Sequence, residues 1–350
     1  MRAMSTRNTR ERWRFRWGDE RGSILVVTLI VLAILTALCV QLGRNVRARL
    51  DLVRRLENRE ELRAAARNGA RICVASLLGD GEVDATICVG RDRRLNAGYE
   101  DRGERWRAEA VYIDEESKIN VNTADIKVMA ALFEIAAGID EDAALELAYR
   151  VDDWRDKDSD FGHPQHGAED GEYRRTVDSY EAKDAPFEVV EEISLVLGMS
   201  AGLFEKVRDY LTVYGTGKVN VNNAPRPVLR ALGLSDAVAG AIESYRLRYD
   251  PEEDVWTTVK FTDPSTIIAD LSGFATIPEK DLEDLSKVVA AGMLITTSEH
   301  YAVRSVGTSD DGIMRSQVVS VVSRRDRRVL YWRDELAGAD SVRLWKARGQ

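Results

Sequence analysis

The sequence predicts an α+β fold in which a long N-terminal helix lies on an antiparallel sheet, and a large helical domain is inserted into that sheet. Three observations predict it. An uncharged run continues without a proline into an amphipathic pattern, which indicates one helix from about residue 24 to about residue 78. Segments with strand-like alternation stand on both sides of a long central region. Within that region, one seven-residue motif occurs twice.

The first half of the predicted helix is apolar. Residues 23–42 carry no formal charge, and about 20 helical residues at about 1.5 Å each match the hydrocarbon core of a bilayer. Gly22 directly precedes this run and is the last residue of an arginine-rich leader, 1–22. Secretory signals are cut after their apolar run, whereas a cut between Gly22 and Ser23 leaves the helix on the mature chain. This order resembles the leader of type IV pilins and type II secretion pseudopilins, which a prepilin peptidase cleaves. A plain signal anchor explains the apolar run equally well.

The composition indicates a globular body, since 44% of the 350 residues are hydrophobic. The net charge of -9 makes the body a poor match for nucleic acid or anionic membranes, and is compatible with cation binding. Cys39 lies in the apolar run, so only Cys73 and Cys88 are candidates for a disulfide, with two buried thiols as the alternative. The sequence has no phosphate loop, nucleophile elbow or clear histidine triad, so we do not expect an enzyme.

The sheet is predicted from alternating segments at both ends of the soluble part. Two of them precede the central region, with a polar glycine-containing turn between them, and three follow it. Two strands alone do not form a stable sheet, so we expect residues 79–114 and 299–335 to form one domain that is discontinuous in sequence. The sequence Asp310-Asp311-Gly312 suits a hairpin turn. The predicted strands are 83–89, 106–113, 301–306, 316–323 and 328–332.

The inserted region opens twice with the same motif. Residues 118–124 read KINVNTA and residues 218–224 read KVNVNNA, and a helix-like segment follows each copy. We expect the Asn and Thr residues to cap those helices. The modules are predicted to span 115–217 and 218–298. The motif resembles the opening of helix-hairpin-helix and SAM-like modules, which raises DNA binding as a function. However, the turns that would meet a phosphate each lack one of two glycines and carry acidic residues, so protein contacts are favoured.

An acidic segment separates the two motifs. Alternate aspartates in a glycine-containing loop are able to direct several carboxylate oxygens toward one calcium ion, which takes six to eight oxygen ligands. The segment is not an EF-hand, because Phe161 and Gly167 stand where that loop needs glycine and glutamate. A solvated acidic loop without an ion is an equal alternative at this point. His163 and His166 raise zinc binding, which is disfavoured without cysteine partners.

Several of these features together resemble the minor pseudopilin K of type II secretion (general secretion pathway protein K). Val27 stands at the fifth position of the expected mature chain, where most pilins carry a glutamate and the K type typically does not. The other features are Arg21-Gly22, the motif at 118–124, Trp154-x-Asp156-x-Asp158, Gly167-Ala168-Glu169 and Asp184-Ala185-Pro186-Phe187.

The resemblance implies a pilin-like helix and sheet with an inserted helical domain that binds calcium. It implies a single-pass inner-membrane protein with its body in the periplasm, located at the tip of the pseudopilus and bound to the I-type and J-type minor pseudopilins. The alternative function is a membrane-anchored helix-hairpin-helix protein of a DNA-uptake type. The calcium ligands implied by the resemblance are drawn from Asp153, Asp156, Asp158, Asp160, Glu169 and Asp170.

Overall fold

The computed structural model describes residues 20–79, 97–103, 106–157, 160–176, 178–250 and 255–335. The sheet elements alternate with short helices, some of them of the 3-10 type. In chain order, the α-helices and strands are α1 (Glu20–Leu78), β1 (Ala97–Arg102), β2 (Trp106–Asp114), β3 (Ile119–Asn120), α2 (Ile126–Leu132), α3 (Glu141–Arg155), α4 (Asp170–Tyr173), α5 (Ala201–Val207), β4 (Leu211–Thr212), β5 (Val219–Asn220), α6 (Arg226–Ala231), α7 (Asp236–Arg246), β6 (Leu247–Asp250), β7 (Val255–Thr258), α8 (Ile267–Phe274), α9 (Glu279–Ala290), β8 (Leu294–Ile295), β9 (His300–Ser309), β10 (Arg315–Ser323) and β11 (Arg328–Glu335).

Helix α1 is 59 residues long and takes part in two compact units, residues 1–58 and 59–350. In the first unit, the helix exposes apolar side chains, including Ile24 at 65% and Leu42 at 65%. Its most apolar 18-residue window has a mean hydropathy of 2.8, and none of that window is buried. The long N-terminal helix predicted from the sequence is confirmed, and its first half has the length and composition of a membrane span.

In the second unit, the last turns of α1 pack on the sheet through small residues. Ala66, Ala70 and Cys73 are fully buried there. The closest approach is at Gly307, where an added β-carbon would overlap the carbonyl oxygen of Leu62. Small side chains on the helix and a glycine on the strand therefore let the two backbones come together.

The sheet has five strands in the order β1-β2-β9-β10-β11, and all of the pairs are antiparallel. Strand β2 pairs with β9 from Trp106 opposite Ser309 to Asp114 opposite Tyr301. The predicted discontinuous sheet is therefore confirmed, and the predicted hairpin joins β9 to β10, with Gly312 at φ 71°.

One edge of the sheet differs from the prediction. Strand β1 forms where we expected only a polar turn, and it pairs with β2. Its Glu100, Asp101 and Arg102 give no apolar alternation, so its pairing depends on the neighbouring strand and not on its own propensity. The predicted strand at 83–89 lies outside the described residues.

The inserted region has one continuous apolar core that runs through both of its halves. Each copy of the repeated motif contributes a two-residue strand that pairs in parallel with a strand at the end of the same half: Ile119 lies opposite Leu211, and Val219 opposite Leu294. The first strand of each half therefore pairs with the last strand of the same half. The division of the insertion between residues 217 and 218 stays a prediction.

Candidate functional site

The repeated motif folds in the same way in both halves, through its second asparagine. Asn122 accepts a hydrogen bond from the backbone N–H of Phe187 (2.7 Å) and donates to the carbonyl of the same residue (2.9 Å). Asn222 does the same with Phe261, at 2.8 Å and 2.9 Å. Each asparagine therefore fastens a distant loop to the start of its half.

The predicted capping role of these Asn and Thr residues is wrong. Asp125 caps α2, and Pro225 stands at the N-cap of α6 without a side-chain hydrogen bond. The side chains of Asn122 and Asn222 instead bind backbone groups far along the chain, and those of Asn220 and Asn223 donate to the carboxylate of Asp114.

An arginine at the end of a helix completes each motif, and the sequence did not reveal it. Arg155 at the end of α3 donates to the carbonyls of Val121 and Ala124. Arg246 at the end of α7 donates to Val221 (2.8 Å) and Ala224 (2.9 Å) in the second copy.

Three consecutive acidic residues, Asp114, Glu115 and Glu116, connect the sheet to the inserted region, and we call them the acidic junction. Asp114 ends β2, the other two follow it directly, and all three are buried, with exposures of 1%, 5% and 4%. Buried carboxylates need hydrogen-bond donors or cations, and each of the three finds them on a different segment.

Asp114 binds the second half of the insertion. Its Oδ2 accepts hydrogen bonds from Asn220 Nδ2 (2.9 Å), Asn223 Nδ2 (2.7 Å) and Ser298 Oγ (2.7 Å). Both asparagines belong to the second motif, so the sheet and the start of this half share one buried carboxylate.

Glu115 binds the first half. Its Oε2 accepts from the hydroxyl of Thr212 (2.7 Å), and its Oε1 forms an ion pair with Lys118 Nζ (2.6 Å). Since Thr212 lies in the last strand of the first half and Lys118 opens the first motif, this carboxylate holds both ends of that half.

Glu116 binds the start of β9. Its Oε2 accepts from the backbone N–H of Glu299 (2.6 Å), and its Oε1 lies 3.0 Å from His300 Nδ1. The hydrogen bond to Glu116 raises the pKa of His300, against the effect of burial. Burial raises the pKa of Asp114 to about 6, although its hydrogen-bond donors oppose this.

These shifts predict that the junction is more stable at acidic pH. A raised pKa in the folded state stabilises the fold below the unfolded pKa and loses that effect as pH rises through the folded pKa. For Asp114 the loss falls between 3.8 and about 6, and for His300 it falls above 6.5. We expect His300→Gln to destabilise the detergent-solubilised protein more at about pH 6 than at about pH 8, as measured by urea unfolding. An equal effect at both pH values would contradict the pairing with Glu116.

The predicted calcium ligands lie in and after α3. Asp153 is fully buried and accepts backbone hydrogen bonds from Gly162 (2.9 Å) and Ala168 (2.8 Å), which hold the loop against the end of α3. Asp170 accepts from the N–H of Ala182 (3.0 Å) and from Arg174 (2.8 Å).

The remaining predicted ligands do not gather around one point. Asp156 is the C-cap of α3, Asp160 is exposed, and Glu169 is buried before α4. Asp158 lies outside the described residues. In the part of the chain that the structure describes, no three Asp, Glu, His or Cys side chains are placed to hold a metal ion. The described carboxylates therefore do not fit a preformed calcium site.

The two histidines of the acidic segment pack against each other and against Tyr149. The His163 and His166 rings are 4.5 Å apart at their centroids and nearly parallel. His166 Nε2 lies 3.8 Å from a carboxylate oxygen of Asp142. The three rings therefore form a packing contact.

The predicted residues of the leader and helix lie in α1. Gly22 and Ser23 are in its first turns, and the Val27 side chain is 58% exposed. Cys73 is buried against the sheet, where burial raises the pKa of its thiol. Its predicted partner, Cys88, lies outside the described residues, so the disulfide stays a prediction.

Comparison with known proteins addresses the family. Residues 109–216, which run from β2 through the first half of the insertion, match the family described as type II secretion system (T2SS), protein K. This segment is a domain of the type II secretion system protein K family. The resemblance seen in the sequence is thereby confirmed. No match was found among curated protein sequences.

A solved structure supports the same fold over more of the chain. A chain of the GspK-GspI-GspJ complex from the type II secretion system of enterotoxigenic Escherichia coli matches with a TM-score of 0.58 at 16% identity. The match covers 83% of this chain and 100% of that chain. The predicted fold class, with its long helix, antiparallel sheet and helical insertion, is therefore confirmed beyond the protein K domain itself.

Proposed function

We propose that this protein is the minor pseudopilin K at the tip of a type II secretion pseudopilus, where it helps to initiate assembly and the export of folded periplasmic proteins. The observation that carries the proposal is the protein K domain at residues 109–216, inserted into a sheet that packs on a long N-terminal helix. One apolar helix suits a single-pass anchor in the inner membrane, with the body in the periplasm.

The tip position follows from Val27. In assembling pilins, a glutamate at the fifth mature position is thought to compensate the N-terminal ammonium of the subunit added before it, a charge that is costly among apolar helices. A subunit with valine there offers no such contact. It therefore suits a position with no earlier subunit, and the inserted region adds bulk that a filament shaft would not accommodate.

The proposed partners are the I-type and J-type minor pseudopilins. The likeness to a chain of the GspK-GspI-GspJ complex supports them. The prepilin peptidase is the proposed processing enzyme, and methylation of the new N-terminus would follow the cut between Gly22 and Ser23. The sequence alternative of a DNA-uptake protein has no support from these comparisons.

Co-isolation from membranes tests the assembly. We expect the I-type and J-type proteins of the same cell to be recovered with the tagged full chain.

We also expect Val27→Glu to leave cleavage unchanged, because cleavage depends on the leader and Gly22. The intact mass of the variant shows whether the leader has been removed. A variant that keeps its leader would contradict the proposal, and so would failure to recover either partner with the unmodified chain. The control is Val31→Glu, one helical turn further along α1, which places the same charge at another position of the apolar segment.

Calcium binding is proposed separately for the acidic segment. Because Asp153 and Asp170 are occupied by backbone N–H groups, an ion would depend on Asp156, Asp158 and Asp160, with local rearrangement. We expect Asp158→Asn to abolish a calcium-induced rise in melting temperature, with the exposed Asp142→Asn as a control. A chain whose melting temperature does not respond to millimolar calcium has no such site, and the acidic segment is then a solvated loop.

A further inference from the structure

The face of the sheet that points away from α1 carries arginines on four adjacent strands. We call Arg107, Arg304, Arg315 and Arg333 the arginine face. The register orders them, since Arg107 and Arg315 both lie opposite Thr308 on β9, whereas Arg304 and Arg333 both lie opposite residue 319 on β10. In each of these two pairs, the arginines lie on either side of one residue of the strand between them.

The charge of this face is opposite to that of the protein. Among its described side chains the acidic ones are Glu100 and Glu109, which lie opposite each other on β1 and β2. Arg102, opposite Arg107, adds a fifth guanidinium to the same face. A basic face is unexpected on a chain whose net charge is -9, and it creates a local positive potential.

Two of the arginines lack acceptors at buried atoms. The Nε atoms of Arg304 and Arg315 are buried and have no hydrogen-bond partner, and within the described residues neither side chain forms an ion pair. Because Nε is covered, an incoming carboxylate would meet the two outer Nη atoms of each guanidinium, which bind it through two parallel hydrogen bonds. Each of these side chains is therefore suited to one incoming carboxylate.

Apolar side chains lie between the arginines. Val111, Val306 and Val319 are half-buried on this face, and they are not part of the cores under α1 or in the inserted region. Arginine next to a partly exposed apolar surface is typical of the centre of a protein interface, where desolvation strengthens ion pairs.

We infer that the arginine face docks a short acidic polypeptide segment of a partner protein. Arg304 and Arg315 lie on neighbouring strands, offset by four residues along the strand direction, which is about 14 Å. In an extended chain, two carboxylates four residues apart span the same distance. A second copy of this protein is disfavoured because two bodies of charge -9 repel each other. The inference stands independently of the proposed secretion function.

Fluorescence anisotropy tests this with the detergent-solubilised full chain and a labelled Gly/Ser peptide that carries two glutamates four residues apart. We expect salt-sensitive binding, and loss when the glutamates are glutamines. We expect the double variant Arg304→Gln, Arg315→Gln to weaken binding at least about tenfold. The matched control is Arg325→Gln, Arg327→Gln in the β10–β11 turn, which removes the same charge from exposed side chains outside the arginine face. We expect it to change binding less than about twofold.

A second pair of variants keeps the test independent of folding. Arg304→Lys with Arg315→Lys retains the charge but removes the planar fork, so we expect a loss of about threefold or more. If the arginine-face variants and the control variants lose the same peptide affinity, the effect is one of net charge alone and the inference is overturned. Absence of peptide binding, binding only to vesicles of anionic phospholipid, or self-association that the arginine-face variants abolish would also overturn it.

Discussion

Asp114→Ala is expected to lower the free energy of unfolding by about 3 kcal/mol, the largest effect at the acidic junction. The substitution leaves buried donors on Asn220, Asn223 and Ser298 without their shared acceptor. Each unsatisfied donor costs about 1–3 kcal/mol, and relief of the buried charge offsets part of the total. Urea unfolding of the full chain in detergent measures it.

Asp114→Asn separates the charge from the hydrogen bonds. The asparagine keeps one acceptor oxygen, so we expect it to lower the free energy of unfolding less than alanine does. It also removes the carboxyl group whose pKa is raised to about 6. The decline in stability between pH 3.8 and about 6 that this group contributes should therefore be absent from the variant. The control is Asp125→Ala at the exposed N-cap of α2, with an expected cost of about 1 kcal/mol. A cost for Asp114→Ala no larger than this control would contradict the role of the junction.

Asn222→Ala is expected to have the second largest effect, also about 3 kcal/mol. Its side chain accepts from the N–H of Phe261 and donates to the carbonyls of Phe261 and Thr296, each at 2.8–2.9 Å. All three backbone groups would lose their partner. Asn222→Asp keeps the acceptor but sets a carboxylate against two carbonyl oxygens, so near pH 7 it should destabilise at least as much as alanine.

The first half of the insertion supplies a matched control for this prediction. Asn122 makes the same pair of bonds to Phe187 and is less buried than Asn222. We expect Asn122→Ala to cost about 2 kcal/mol, less than its counterpart. A larger cost in the first half than in the second would contradict the account of how the two motifs are fastened.

The elements that the sequence predicted correctly are those with long patterns of their own. Helix α1, strand β2 and the three C-terminal strands combine an apolar period with sufficient length. Strand β1 has no such pattern and forms only because β2 offers it an open edge.

The site was harder to predict, because its contacts are distant in sequence. Asp114 is 106 residues from Asn220 and 184 from Ser298, so no local spacing indicates that they meet. Three consecutive acidic residues after a strand were the available signal, but such residues are usually solvated. The repeated motif makes the asparagines recognisable, but its spacing does not indicate that Asn122 and Asn222 bind loops 65 and 39 residues away instead of the nearby helix ends. In the acidic segment, alternation suggested ligands, while Asp153 is used by the loop backbone.

The most direct test of the pseudopilin account is the intact mass and N-terminal residue of the protein recovered from membranes of cells with and without a prepilin peptidase. The account predicts a mature chain that begins at Ser23 when the peptidase is present, and an uncut chain when it is absent. An uncut chain in both strains would contradict it, since the protein would then be a permanently anchored membrane protein that cannot enter a pseudopilus.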